Sequence, residues 1–522
     1  MKLVTAKQMN EIDSRAATEF GISGVTLMSN AAEHLAKTAM EHVPPNGCVA
    51  VFCGTGNNGG DGIGAAAYLL EKGISVRVIL IGDEKKLTPD AKEMQIRLDK
   101  HGCSLERYSL SPDLVDYVSD CSVIIDAIFG TGLKAELHND VLSAITMINS
   151  SQALIISADI PSGVHADTGR VIKDAVKADI TITFSLAKPG HFVEPGCIYR
   201  GELRVCDIGI PKSILEGTVS HTYAAMPEDV ELPKRRRNTH KGDYGRALII
   251  AGSVGYTGAP ALAARAASKM GTGLVAVGVP KSIYEITAVK LDEEMPFPLP
   301  HDAKGRLTAN AASEILRKAK RSDVCLIGPG LGMSDDISEL VQSVARLSET
   351  PIILDADGLN AISGNIDILN QATCPLILTP HPGEFERLGG FSTTKIFTKD
   401  KATGAVLTSD DRLQAAREFS SKYGCILVLK GHRTIIALPN GITYVNTTGG
   451  PAMAKGGTGD VLAGMIAALI AQRIPLVHAV IKAVYIHGLA GDMCAGKFGE
   501  YSVTASDLIA MLPDAVKGVK IT

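Results

Sequence analysis

Two glycine-rich segments, each set between an apolar run and a helical stretch, carry the residue types that could do chemistry. The first reads Gly54-Thr55-Gly56-Asn57-Asn58-Gly59-Gly60-Asp61-Gly62 and satisfies the spacing G-x-G-x-x-G. Glycines let a backbone approach an anion, and the helix start that follows offers N–H groups without partners. Taken literally, with Asp83 roughly 20 residues on where a ribose-binding acid belongs, this is a dinucleotide-dependent dehydrogenase. Two asparagines and an aspartate give the loop more hydrogen-bonding capacity than a pyrophosphate turn uses. A plain glycine turn with asparagines in left-handed conformations is the reading without function. Two further apolar runs end in carboxylates, Ile124-Ile125-Asp126-Ala127-Ile128-Phe129-Gly130-Thr131-Gly132 and Ser157-Ala158-Asp159-Ile160-Pro161-Ser162-Gly163. Either aspartate alone could cap a helix. Three such exits on one sheet edge point instead to one crevice. Asn58, Asp126 and Ser162 supply only oxygen, which suits a hard cation and not zinc.

The second segment is Lys455-Gly456-Gly457-Thr458-Gly459-Asp460-Val461. Successive glycine N–H groups at a helix start make a nest for a transferring phosphoryl group. Asp460 is placed to take a proton from an attacking hydroxyl or to orient it, although an aspartate in a first helical turn also has a purely structural use. The spacing is not that of a P-loop. Upstream, the run CILVLK ends at Lys430-Gly431-His432-Arg433-Thr434, where cations could meet a nucleotide phosphate or simply end a strand. Pro380-His381-Pro382-Gly383-Glu384-Phe385-Glu386-Arg387 starts another helix. His381 and Glu384 line a site if this edge faces Asp460, and otherwise belong to a capped turn. The loops Gly252–Ala259 and Gly328-Pro329-Gly330-Leu331-Gly332 complete a glycine-lined edge. These residues describe phosphoryl transfer.

Such loops need strands behind them. From Cys48 to about Ile210 the runs CVAVF, SVRVILI, SVIIDAIF, ALIISADI, ADITITF and ELRVCDIGI alternate with helical stretches. Thr5 with Gln8 makes a capping box for a first helix, and Val25 to His42 reads as a second. A new series begins at Ala247 with ALIIAG, GLVAVGV, DVCLIGPG, PIILDADG, PLILTP and CILVLKG. Each series predicts a mostly parallel, doubly wound α/β sheet. Between them, Gly217 to Gly245 has little apolar periodicity and holds Pro227, Pro233 and the basic run Lys234-Arg235-Arg236-Arg237. The expected division is therefore 1–216, a linker over 217–240, and 241–522. The basic run could bind phosphate; a solvated linker is the simpler reading.

Composition narrows the classes. The 522 residues are 45% hydrophobic, with 4% aromatics and no tryptophan, so small and β-branched residues must fill the core. A net charge of −4 excludes broad electrostatic capture of nucleic acid or a membrane surface. Ten cysteines without a C-x-x-C read as small buried hydrophobes in a reducing cytoplasm. The tract Val461 to Gln472 is too short to span a bilayer, and the N-terminus becomes charged too soon for a signal peptide.

With these motifs in place, both halves resemble known families. GNNGGDG with DAIFGTG and DIPSG resembles the NAD(P)H-hydrate epimerase domain, which is Rossmann-like. HKGDYGRALIIAGSVGYTGA, IGPGLG, TPHPGEFERL and KGGTGDVLAG resemble the ADP-dependent NAD(P)H-hydrate dehydratases, which are ribokinase-like. The resemblance covers nearly the whole chain and includes the domain order of the fused prokaryotic repair enzymes. It implies that Asn57, Asn58, Gly59, Gly60, Asp61, the stretch Gly130, Thr131, Gly132, Leu133, Lys134, Ala135, Glu136, and Asp159 hold the hydrate for epimerisation. Asp159 would be catalytic, and Asn58, Asp126 and Ser162 would bind K+.

In the second half the resemblance implies that Ala259, Gly332, His381, Pro382, Gly383, Glu384, Phe385, Glu386 and Arg387 line the hydrate, with Asp460 catalytic. Lys430, Gly431, His432, Arg433, Thr434 and the run Gly450, Pro451, Ala452, Met453, Ala454, Lys455, Gly456, Gly457, Thr458, Gly459 would bind ADP with Mg2+. Lys455 departs from the small polar residue of many members, which bears on nucleotide affinity and not on the assignment. NADHX, NADPHX and ADP are the implied partners, with a homo-oligomer expected. From residues alone, a small-molecule kinase and a non-catalytic nucleotide-binding scaffold stay open.

Overall fold

The apolar runs of the first half are strands: β1 (Cys48–Cys53), β2 (Ser75–Leu80), β3 (Leu105–Arg107), β4 (Val123–Ala127), β5 (Leu154–Ala158), β6 (Ile180–Phe184) and β7 (Glu202–Cys206). This is a computed structural model, and it describes residues 1–133, 137–389, 398–399, 406–407 and 412–522. The strands lie in the order β3-β2-β1-β4-β5-β6-β7, and every neighbouring pair is parallel. A strand covered on both faces needs apolar side chains at successive positions, and β4 and β6 are buried throughout. Alternate residues then feed two cores. Val49, Val51, Val123 and Ile125 pack beneath α1 (Ala6–Phe20), α2 (Gly24–His42), α3 (Asn57–Glu71) and α4 (Pro89–Asp99). Ala50, Phe52 and Ile124 pack beneath α5 (Pro112–Asp120) and α6 (Asn139–Ser150). The Thr5–Gln8 capping box is formed at the start of α1. Strand order reverses between β1 and β4, which places the crevice of an open sheet beyond their carboxyl ends.

The second unit is built on β8 (Thr222–Ala225), β9 (Glu231–Leu232), β10 (Arg246–Ile250), β11 (Leu274–Pro280), β12 (Met295–Leu299), β13 (Val324–Ile327), β14 (Ile352–Leu354), β15 (Leu376–Leu378), β16 (Ile426–Leu429), β17 (Ile435–Ala437), β18 (Thr443–Asn446) and β19 (Lys520–Ile521). Its large sheet runs β8-β18-β17-β16-β15-β14-β13-β10-β11-β12. It is parallel from β16 to β12, and β16, β17 and β18 form an antiparallel meander. Helices α7 (Gly258–Lys269), α8 (Pro382–Gly389), α9 (Thr458–Ala471), α10 (Leu476–Phe498) and α11 (Ala505–Lys517) belong to it. From Val461 to Ala471 every residue of α9 is buried. A helix apolar on all sides is a core helix. Among the described residues, no helix is long and apolar enough to cross a membrane.

The stretch read as a linker is largely structured. Thr222–Ala225 joins the large sheet, and Glu231–Leu232 pairs in parallel with Lys520–Ile521 near the C-terminus. Tyr223 stacks on Tyr444 with ring centroids 5.4 Å apart. The chain divides into two compact units at Thr222 and Tyr223. Short strands flanked by prolines carry too few residues for a periodic signal, so they read as loop.

Candidate active sites

In the first unit, the loops after β1 and β4 are pressed together by glycines that nothing larger could replace. A Cβ on Gly54 would lie 2.1 Å from the Ile128 carbonyl oxygen, and one on Gly59 would lie 1.9 Å from that of Gly54. Beside them opens a cavity of about 640 Å3 whose walls include Asn57, Asn58, Asp61, Gly130, Thr131, Gly132 and Asp159. Gly59 and Gly60 are buried in helix packing rather than on the wall, and Leu133 turns into the core. Lys134, Ala135 and Glu136 lie outside the described residues. Asn58 ties the two exits together. With its amide oriented to satisfy both ends, Nδ2 donates to Ala158 O (3.1 Å) and Oδ1 accepts from Gly130 N (3.3 Å). Asp83 stands apart: its carboxylate accepts from Lys85 N (3.0 Å), capping the turn Glu84–Lys86.

The electrostatics centre on Asp159, a buried non-glycine residue at φ 63°. Lys188 Nζ donates to its Oδ1 (2.5 Å), Thr183 Oγ1 donates to the same oxygen (3.0 Å), and His191 Nε2 meets its carbonyl oxygen (2.8 Å). Burial works to raise the Asp159 pKa, but the Lys188 ammonium, helped by the Thr183 hydroxyl, holds it below the ordinary carboxylate value. His191 is pushed down to about 3 by burial and by Lys188, so it is neutral. The neighbouring carboxyls go the other way. Burial, then the charges of Asp159 and Asp13, push Asp61 well up, and burial carries Asp13 to about 6 against the pull of Lys188. One site therefore holds a carboxyl whose pKa is drawn down beside two whose pKa values are pushed up, the pattern of an acid–base pair.

Asp126 lies beneath this cavity, wholly buried. Its donors are Ser157 Oγ (2.8 Å), Ser162 N (2.9 Å), Ser162 Oγ (2.5 Å) and Ile128 N (3.3 Å). Burial pushes its carboxyl up in spite of them. All four donors are neutral, so a buried negative charge has no countercharge among them. That fits a cation held by oxygen ligands.

In the second unit the strand exits converge on Lys430. Its Nζ lies 2.8 Å from Asp355 Oδ1 and 3.9 Å from Glu384 Oε2, and a Cβ on Gly459 would be 3.4 Å from it. Burial works to lower the Lys430 pKa, but Asp355, Glu384 and Asp460 outweigh it and hold the ammonium charged. Asp460, in the first turn of α9, is raised to about 7 by burial and by Asp355, with Lys430 opposing. That is where a general base at neutral pH works best. Gly457, at φ 91°, starts the helix. Buried His487, held neutral by burial at about 4, meets Thr458 O (3.0 Å) and fixes that start.

Around this cluster, His381 Nε2 lies 3.4 Å from Glu384 Oε1, and Arg387 donates to Asn360 Oδ1 (2.9 Å). Gly332 N donates to Asp357 Oδ2 (2.8 Å), and a Cβ on Gly330 would sit 3.1 Å from that of Ala259. Some expected contacts are directed elsewhere. Phe385 is buried edge-on against Phe419, Arg433 turns its guanidinium to Thr447 O (2.5 Å), and Thr434 Oγ1 donates to Gly431 O (2.9 Å). Lys455 Nζ donates to Tyr501 O (2.9 Å) at the surface. His432 is exposed, and Pro451 to Met453 form a short turn.

Lys188, Thr183, Asp13 and Asp355 were not anticipated. Asp355 follows β14 in Leu354-Asp355-Ala356-Asp357-Gly358, the same apolar-run-then-aspartate pattern as Asp126 and Asp159, and that signal could have found it. Lys188 lies 29 residues from its partner in sequence and carries no motif of its own.

Fold and sites together define a two-domain α/β enzyme, Rossmann-like in its first half and ribokinase-like in its second. The NAD(P)H-hydrate dehydratase family profile matches residues 247–514, and the YjeF-related protein N-terminus profile matches 24–190. A bifunctional NAD(P)H-hydrate repair enzyme of Thermofilum pendens is 38% identical over 522 residues, covering 100% of this chain and 97% of the relative. That of Moorella thermoacetica is 37% identical over 532, again covering 100% and 97%. An ADP/ATP-dependent NAD(P)H-hydrate dehydratase from Bacillus subtilis, co-crystallised with ATP/Mg2+, is 30% identical, covering 56% of this chain and 98% of its own at a TM-score of 0.47. The chain belongs to the bifunctional NAD(P)H-hydrate repair enzymes. It is an isomerase and a lyase, which epimerises R- and S-NAD(P)HX and dehydrates the S form to NAD(P)H with ADP.

Proposed function

We propose that the cavity of the first unit epimerises the hydrate through Asp159 and that the Lys430 cluster of the second dehydrates it through Asp460. The observation carrying this division is that each unit sets one aspartate between a glycine loop and a lysine, Lys188 buried and Lys430 half-buried. In the hydrate a hydroxyl sits at C6 of the nicotinamide ring, beside ring nitrogen N1. The nitrogen lone pair expels it as water once a proton is supplied, and water returning on the other face gives the other epimer. Asp159, ionised, takes the proton from the returning water; Asp61, protonated, is its acid partner. Asn58, Asp126 and Ser162 would hold K+, which supplies the countercharge that Asp126 lacks.

At the second site ADP enters with Mg2+ as the substrate complex. Asp460 takes the proton from the C6 hydroxyl as that oxygen attacks the β-phosphate. AMP leaves, and loss of the phosphate ester with the neighbouring ring proton yields NAD(P)H. Backbone N–H groups over Gly456–Gly459 and the Lys430 ammonium stabilise charge on the transferring group. Ten free thiols go with a cytoplasmic setting. The test is an R and S mixture of NADHX with ADP and Mg2+, followed by NADH absorbance. Full recovery of both epimers is expected. Recovery of the S fraction alone removes the first assignment, and a stable phosphorylated product removes the second.

Lys188 is a positioning residue in this reading. Lys188→Met strips the buried Asp159 of its ammonium, so the carboxyl pKa rises and the acidic, ascending limb of the epimerisation pH profile moves to higher pH. Breaking a buried pair costs about 3–5 kcal/mol, so melting temperature falls as well. Lys188→Arg should restore the profile in part. A variant with an unmoved pH profile means that the ammonium does not tune Asp159.

The two units are proposed to act independently. Chains ending at His221 and starting at Thr222 should each fold and retain one reaction, because each keeps its own sheet. A cut at Pro227 should lower the melting temperature of the second fragment, since it removes β8 and its Tyr223–Tyr444 stack. Equal stability of the two second fragments counts against β8 as part of that domain.

A further inference from the structure

At the opposite end of the second unit from Asp460, a cavity of about 940 Å3 opens between residues 232–244 and the C-terminal ends of α7 and α9. Asp460 lies in the first turn of α9, and Gln472 and Arg473, just past its last residue, line this cavity. A rise of 1.5 Å per residue puts roughly 20 Å between them. The basic run of the supposed linker forms one wall.

The cavity has an apolar interior and a cationic rim. Met270, Leu469 and Ile474 are its buried wall residues. Lys234, Arg235, Arg236, Lys269 and Arg473 surround them, against a single carboxylate, Asp243. Two of the cations are committed to structure. Arg235 Nη2 donates to Gly271 O (2.6 Å) and Gln472 Oε1 (2.9 Å), and its guanidinium lies 3.9 Å over the Tyr244 ring. Gly271 favours glycine through its φ of +95°, and a Cβ there would stand 2.1 Å from Arg235 Nη2 and displace the guanidinium. This strut fixes the basic segment to both helices. It also covers a helix-end carbonyl that would otherwise repel an anion. Arg473 leans on Asp323 (3.5 Å). Among the described residues, no side-chain carboxylate pairs with Lys234, Arg236 or Lys269, although Lys234 N donates to Thr522 O (2.6 Å).

We propose that this cavity is an accessory site for a phosphorylated nucleoside, with the base against Met270, Leu469 and Ile474 and the phosphates between Lys234, Arg236 and Lys269. Its size suits such a ligand. Guanidinium and ammonium groups without carboxylate partners are the usual recognition of phosphate. Nothing in the two catalytic reactions uses these residues.

ATP binding to the full chain, measured by calorimetry at low ionic strength, tests the assignment. The triple variant Lys234→Gln, Arg236→Gln, Lys269→Gln should bind one ATP fewer per chain than the parent, while its KM for ADP in dehydration stays within about twofold and its melting temperature is unchanged. The parent's extra site should weaken steeply with salt. Inorganic triphosphate should bind that site at least about tenfold more weakly than ATP, since it brings no base to the apolar wall. Equal stoichiometry in parent and variant overturns the proposal. So does triphosphate binding as tightly as ATP, which would leave only a polyanion patch.

Discussion

Asp460→Asn is expected to slow NADH recovery from S-NADHX at least about a hundredfold, the low end for loss of a general base, while the chain stays folded. The substitution is nearly isosteric, and the helix start around it is held by groups other than the carboxylate. Gly457 supplies the left-handed turn, His487 fixes Thr458 O, and Thr458 Oγ1 donates to Met453 O (3.1 Å) and Lys455 O (3.0 Å). The pH dependence gives a second reading of the same residue. A base whose pKa stands at about 7 is increasingly protonated below that pH. In the parent, kcat/KM should therefore rise about tenfold per pH unit up to about pH 7 and level off above it. In Asp460→Asn that limb should disappear. A variant with near-parental turnover, or one that keeps the limb, removes Asp460 from proton transfer.

The same raised pKa has a cost in stability. A carboxyl whose folded pKa exceeds its unfolded value binds its proton more tightly in the native state. Its ionisation therefore destabilises the fold between the unfolded value near 4 and about pH 7, and the penalty is complete above. Asp460→Asn should thus be at least as stable as the parent at pH 8, with the gap closing toward pH 4. Function and stability pull apart at this residue, which is the ordinary signature of an active-site carboxyl.

How much of this was legible depends on whether a residue advertises itself through its neighbours. Asn58, Asp126 and Asp159 were readable because each closes an apolar strand or opens a glycine loop, and parallel strands put such exits on one edge. The glycines of the first loop were readable as close approach, but not as approach of Gly54 to Ile128 and of Gly59 to Gly54. An anion-binding turn and a tightly packed loop share one pattern. Lys188 was invisible for the opposite reason. It follows β6 in an unremarkable turn, and only the β5–β6 pairing brings it to Asp159. Asp13 sits beside the buried stripe Met9, Ile12, Ala16 of α1, where a lone acid reads as solvated surface. The β17–β18 hairpin and β8 were missed because three or four residues carry no measurable period.

In the first unit, Asp159→Asn and Asp126→Asn should both impair epimerisation, yet respond oppositely to potassium. Asparagine is the appropriate replacement at 159, since the φ of 63° is one it tolerates and alanine strains. It keeps the contact with Lys188 and Thr183 while losing the proton-accepting charge. Conversion of the R epimer should fall by about a hundredfold or more, with ADP-dependent dehydration of the S epimer unchanged. Adding K+ cannot replace a missing proton acceptor, so no concentration should restore it. Asp126→Asn acts differently. Its carboxylate is not itself on the cavity wall but holds Ser157, Ser162 and the amide of the wall residue Ile128. Without the negative charge, cation affinity drops, and the Asn58–Gly130 tie that shapes the cavity loosens. Excess K+ should then recover part of the rate by mass action, and it should raise the melting temperature of the parent at lower concentrations than that of the variant. Potassium rescue of Asp159→Asn but not of Asp126→Asn would mean that the two carboxylates exchange roles. Indifference of both melting temperatures to K+ over Na+ would remove the cation from the site.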